Sequence, residues 1–103
     1  MLLQKVKFMK AQLENNMDKI DLSNIEKYYT VERNDIHDGT QIIYRFPNGY
    51  GASVVEHCFS YGLEIAVLDS DDKITYDTPI ADDVIGYNTP ESAAKIITQI
   101  SKL

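Results

Sequence analysis

Pro47-Asn48-Gly49 lies between two runs rich in β-branched and aromatic residues, 41–46 and 50–59, and no other stretch so narrows what the chain can become. Proline presets φ for the first turn position, asparagine tolerates the second, and glycine takes the left-handed third. The three residues predict a hairpin loop closed by a glycine bulge. Phe46 then faces Tyr50, Tyr44 faces Ala52 and Ile42 faces Val54, which puts six apolar side chains on one side of a sheet. That side is the expected core. Arg45, Ser53 and His57 belong to the opposite, wetter side.

The flanking segments read outward from this hairpin. A short strand is expected over 29–33, with turn chemistry over 34–39, where Asp38-Gly39 is the strongest turn dipeptide. Ser60-Tyr61-Gly62 turns the chain into 63–68, apolar at five of six positions and so expected at the centre of the sheet. Asp69-Ser70-Asp71-Asp72 is a polar loop returning through 73–76, and Pro79 takes the chain out of the ladder. Val6, Met9, Leu13, Met17 and Ile20 recur at helical spacing, and Ser23 with Glu26 forms a candidate capping box for a further turn through 27–29. At the other end Thr89-Pro90-Glu91 carries the cap, first-turn proline and acid of a helix start. Ala93, Ile96, Ile97, Ile100 and Leu103 form its buried stripe. The expected fold is one α+β domain over 1–103: a helical N-terminal segment over 1–28, an antiparallel three- to four-stranded β-meander over 41–76, and a C-terminal helix over 89–103.

Charge separates the chain into two parts. Residues 1–33 are nearly neutral at +1, whereas residues 34–103 carry four bases against eleven acids, a balance of −7. A nucleic-acid binder needs a clustered basic face, and only Lys5, Lys7 and Lys10 come close, so no direct nucleic-acid contact is expected. Residues 1–7 hold no signal-peptide run and no segment is long and apolar enough for a membrane span, which points to a cytoplasmic, non-membrane protein. Cys58 is the single cysteine, so neither an internal disulfide nor a cysteine-based zinc site can form.

Few constellations carry chemistry. Asp69, Asp71 and Asp72 alternate as in a calcium loop, but the required sixth-position glycine and twelfth-position glutamate are Ile74 and Ile80. They read as a solvated turn. His57 and Cys58, as neighbours on a strand, point to opposite faces and cannot act as a base and nucleophile, which leaves Cys58 as a small core residue. Gly51-Ala52-Ser53 marks close approach, either by a helix packing over Ala52 or by a partner strand in a groove. Asp77, Asp82 and Asp83 could serve an enzyme only with a metal, and no nucleophile–base geometry accompanies them. No catalytic residue, metal or cofactor is therefore expected. Among seven tyrosines, Tyr61 and Tyr87 fall at element ends, where half-exposed rings anchor interfaces.

Two stretches carry a resemblance. Phe46-Pro47-Asn48-Gly49-Tyr50-Gly51-Ala52-Ser53-Val54-Val55 and Tyr76-Asp77-Thr78-Pro79-Ile80-Ala81-Asp82-Asp83-Val84-Ile85-Gly86-Tyr87 resemble small proteins encoded by bacteriophages and prophages, over about residues 41–103. The resemblance implies a phage setting in a bacterial host and no assigned catalytic residues. With the acidic surface it implies a protein–protein interaction role, such as inhibition of a host defence nuclease in the manner of an anti-CRISPR. The partner would be a host protein with a basic surface, a nucleic-acid-binding effector for example. Candidate contact residues are Asp69, Asp71, Asp72, Asp77, Asp82, Asp83, Tyr61 and Tyr87. The alternative is a self-associating structural or regulatory phage protein whose N-terminal stripe forms a homodimer seam.

Overall fold

A computed structural model of the chain describes residues 16–26 and 28–103. Four strands, β1 (Thr30–Ile36), β2 (Gly39–Arg45), β3 (Gly51–Glu56) and β4 (Glu64–Leu68), form an antiparallel meander in the order β1-β2-β3-β4, and one helix, α1 (Pro90–Ser101), follows them. The expected α+β class and C-terminal helix are present. Of the expected helical segment 1–28, residues 16–26 and 28 are described and only 16–18 are helical; Val6, Met9 and Leu13 lie outside the described residues.

The register grows from the 47–49 turn. Phe46 N–H donates to the Tyr50 carbonyl (2.9 Å) and Gly49 N–H to the Phe46 carbonyl (3.1 Å), with Gly49 at φ 89°. Tyr44 then meets Ala52 and Ile42 meets Val54, as the turn chemistry requires, and the next pairing sets Ala52 against Val67 and Val54 against Ile65. Alternation sends these six side chains to one face. Ala93, Ile97 and Ile100 of α1 share their core cluster, and Met17 and Leu22 join it. Ala52 is fully buried in the cluster that α1 shares, so helix packing accounts for its small size, whereas Ser53 lies on the opposite face and accepts from Gln41 (3.1 Å). Gly51 lies so close to β2 that a Cβ would stand 2.7 Å from the Tyr44 carbonyl oxygen. Each fully buried isoleucine here is worth about 2 kcal/mol of transfer free energy.

The helix start is a capping box. Thr89 accepts from Ser92 N–H (3.1 Å) while the Ser92 hydroxyl accepts from Thr89 N–H (3.0 Å), serine replacing the usual glutamate.

Four expectations need correction. β1 continues to Ile36, and the turn is the two-residue pair His37-Asp38, both left-handed at φ 47° and 60°. Paired left-handed residues match the twist of a tight hairpin. Gly39 belongs to β2 because a Cβ there would lie 2.1 Å from the Glu56 carbonyl oxygen. β4 is the last strand of the order, not a central one, although its outer edge is bridged by Ile74 and Ile85. Ser23 caps nothing: Asp21 accepts its N–H (2.9 Å) in a non-helical turn, and the Ser23 hydroxyl and then its N–H hold the Asp21 carboxyl below its usual range. Cys58 is exposed, because β3 ends at Glu56 and residues 57–60 turn away from the sheet.

Candidate functional site

The site begins where the β1–β2 turn, the β3–β4 loop and the segment before α1 meet at one end of the sheet. The loop 57–62 is tightly bonded for its length. His57 N–H donates to the Ser60 hydroxyl (2.9 Å), Ser60 N–H returns a bond to the His57 carbonyl (3.1 Å), and the Ser60 hydroxyl reaches the Gly62 carbonyl (2.7 Å). Phe59 N–H donates to His57 Nδ1 (3.1 Å), and Tyr61 N–H donates to a Glu64 carboxylate oxygen (3.0 Å). These bonds fix the loop and leave the Phe59 and Tyr61 rings outside it.

Neighbouring elements add two more rings, and His57 of the loop itself supplies a further one. His37, raised on its left-handed turn, stands 5.0 Å from Phe59 edge-on and 5.1 Å from His57, centroid to centroid. Tyr87 sits 6.2 Å from Tyr61. That pair is held by main chain: Tyr87 N–H donates to the Tyr61 carbonyl (2.7 Å), and Ile85 and Ile65 exchange two bonds of 2.8 Å. Asn88 completes the clamp, its amide donating to the carbonyls of Leu63 (3.1 Å) and Ile85 (2.8 Å) while its oxygen accepts from Ser92 (2.9 Å). Gly86 is required there, since a Cβ would fall 2.6 Å from that of Tyr61. The result is five rings on a rigid base, with Phe59 75% exposed, Tyr61 58% and Tyr87 80%.

The segments that carry these rings bear formal charge of one sign. The segments that build this end, 35–39, 56–64 and 82–88, contain Asp35, Asp38, Glu56, Glu64, Asp82 and Asp83, and no lysine or arginine. Large exposed rings bordered by acids suit a partner surface that is apolar at its centre and basic around it.

The candidate residues divide between two places. Tyr61 and Tyr87 are brought into contact here, and Asp82 and Asp83 lie a few residues before Tyr87 in the same segment. Asp69, Asp71 and Asp72 are at the opposite end of β4, in a turn beside Gly49. There Asp69 binds its own loop, accepting from the N–H groups of Asp71 (2.9 Å) and Lys73 (3.1 Å). Asp72 takes a two-pronged bond from the Arg45 guanidinium (2.9–3.2 Å), which also reaches Glu32 (3.0 Å). These bonds hold the Asp72 carboxyl below its usual range and raise the Arg45 guanidinium above its own. Asp77 lies between the two ends, its N–H bonded to Thr75. Phe59, His37 and His57 were absent from the candidate set, since only the true ends of β1 and β3 bring their rings together.

Two concavities are weaker sites. A cleft of about 560 Å³ runs between 19–24 and α1, with Lys19 and Lys95 opposing Asp21 and Glu91, so its walls select no sign of charge. A second, of about 180 Å³, is lined in part by the Arg45–Asp72 pair, whose charges already answer each other. No group of three metal-ligating side chains occurs among the described residues, and no described helix is long and apolar enough to cross a membrane. Comparison of the chain with protein-family models, curated proteins and solved structures found no match.

Proposed function

We propose that the chain is a non-enzymatic protein-interaction module that docks the aromatic end of its sheet against a host protein with a basic surface. The observation that carries this reading is the exposure of Phe59 and Tyr61 on a loop fixed by its own hydrogen bonds, and of Tyr87 on the segment bonded to it. Pre-ordered aromatic rings lose little entropy on binding and dominate interface energies. The acids of the same segments add attraction to a basic surface, felt mainly as faster and salt-sensitive association. The phage setting, and disabling of a defence nuclease as the consequence of docking, follow from the two motif resemblances. An effector that binds nucleic acid offers the basic surface such a module needs.

The test uses the full chain as bait in a lysate of a bacterial host, with Phe59→Ala and Tyr87→Ala as matched baits and Asp71→Asn as a control. A captured protein is identified by mass and its affinity measured. Each aromatic truncation is expected to weaken binding about 30-fold, the equivalent of about 2 kcal/mol at an interface anchor. Asp71→Asn changes it less than threefold, because that residue sits at the far end of β4. Retention of every captured protein by both aromatic variants refutes the reading. For the nuclease role, unchanged phage survival in defended strains expressing the chain counts against it.

A further inference from the structure

We propose that β1 is a homodimerisation strand, through which two copies of the chain join edge to edge and antiparallel about a two-fold axis at Asn34. The two edges of the sheet differ. β4 is bridged along its outside by Ile74 and Ile85, whereas among the described residues no strand lies outside β1. β1 is seven residues long and contains neither proline nor glycine, so its outer row of main-chain groups is a regular template for another strand.

The phase of the ladder decides which groups are offered. Phe46 N–H bonds to Tyr50, so the even-numbered residues of β2 address β3 and the odd-numbered ones address β1. Through the register Thr30↔Arg45 to Ile36↔Gly39, residues 30, 32, 34 and 36 then address β2. The main-chain groups of Val31, Arg33 and Asp35 point outward. A symmetric antiparallel pairing that forms hydrogen bonds must set outward residues against each other, and charge ranks the registers. An axis at Glu32 opposes Glu32 to its own copy, and an axis at Arg33 or Asp35 likewise opposes like charges. An axis at Asn34 sets Arg33 opposite Asp35 of the second copy, twice by symmetry, on one face of the joined sheet. Arg33 already touches Asp18 at 3.4 Å in an exposed contact, and its five donors can serve both carboxylates. The same register sets His37 and Asp38 opposite Val31 and Thr30 of the second copy, so the seam runs beside the aromatic end while Phe59, Tyr61 and Tyr87 stay outside the paired strands.

Sedimentation equilibrium of the full chain from about 10 μM to about 1 mM reads the dimer directly. The expected mass rises from 11.7 kDa toward twice that value. Arg33→Asp places acid against acid and weakens dimerisation about tenfold or more, and Arg33→Asp with Asp35→Arg restores it. Asp35→Pro removes an outward N–H while sparing the β1–β2 ladder, and is expected to be monomeric with an unchanged circular dichroism spectrum. A chain that stays at 11.7 kDa throughout overturns the proposal. So does a dimer equally strong in Arg33→Asp and Asp35→Pro, because its contact then lies elsewhere.

Discussion

The two ends of the sheet are built from the same kinds of residue and finished in opposite ways. At the 46–50 and 69–73 turns, polar groups answer one another: Asp69 binds its own loop and Arg45 joins Asp72 to Glu32. In the 57–62 loop beside the 37–38 turn, main-chain N–H groups are also bonded, chiefly to Ser60, His57 and Glu64, yet the Phe59 and Tyr61 rings project outward. One end closes on itself and the other holds rings ready for contact. Acidity alone does not mark a binding surface, because carboxylates are engaged at both ends, Asp69 and Asp72 at one and Glu64 at the other, and only the exposed rings distinguish them.

The largest expected effect comes from forcing a methyl group into each end. Gly39→Ala puts a Cβ 2.1 Å from a backbone oxygen of Glu56, and backbone cannot yield cheaply. It is expected to lower stability by about 3 kcal/mol in urea unfolding and to separate His37 from Phe59. At the other end Gly49→Ala meets nothing closer than Ser70 Cβ at 3.8 Å, and only its left-handed φ is strained. About 1 kcal/mol is expected there. Equal losses at the two positions would mean that Gly39 is no more closely packed than Gly49.

Two asparagines fasten α1, one at each end, and they set the next scale. Asn88 ties the helix start to Leu63 and Ile85. Asn48 donates to the carbonyls of Ile100 (2.9 Å) and Leu103 (3.1 Å) while accepting from Tyr50 N–H (2.9 Å). Replacement of either by alanine removes two side-chain bonds that anchor a helix end, at about 1–2 kcal/mol for each variant. Amide exchange distinguishes them: Asn88→Ala should free 85–93, and Asn48→Ala should free 100–103. Exchange that rises over the whole chain in both variants would mean that the ends are not separately fastened.

These asparagines mark what the sequence conceals. The 47–49 turn, the pairing of Tyr44 with Ala52 and Ile42 with Val54, and the cap at Thr89 are local chemistry, legible from neighbouring residues. Asn48 read as a residue that tolerates a turn; its bonds to the helix end span 52 and 55 positions. Tyr61 and Tyr87 were named for falling at element ends, whereas their contact depends on the Ile65–Ile85 bridge. The His37–Phe59 contact was illegible for another reason. It needed the turn to sit at His37-Asp38, and Asp38-Gly39 is the stronger local signal until the approach of Glu56 to Gly39 is known.

The smallest expected effect is also the most direct probe of the self-closed end. The Arg45 contacts with Asp72 and Glu32 are solvent-exposed, and such pairs contribute little because water and salt screen them. Their signature lies in pH rather than in size. Both carboxyls are held below their usual range, Asp72 chiefly by the Arg45 hydrogen bond and Glu32 by Asn34 and then Arg45. The folded chain therefore binds these protons less readily than the unfolded chain. The stabilisation is complete above the unfolded carboxylate range of about pH 4 and fades as pH falls through the lowered folded values. Arg45→Gln should lower the melting temperature slightly at pH 7, and the gap between variant and native chain should narrow steadily below about pH 4. High salt at pH 7 should narrow it in the same direction. A gap independent of both pH and salt would mean that Arg45 acts by packing its aliphatic stem against the sheet, and the self-closed end would then owe its order to shape rather than to paired charge.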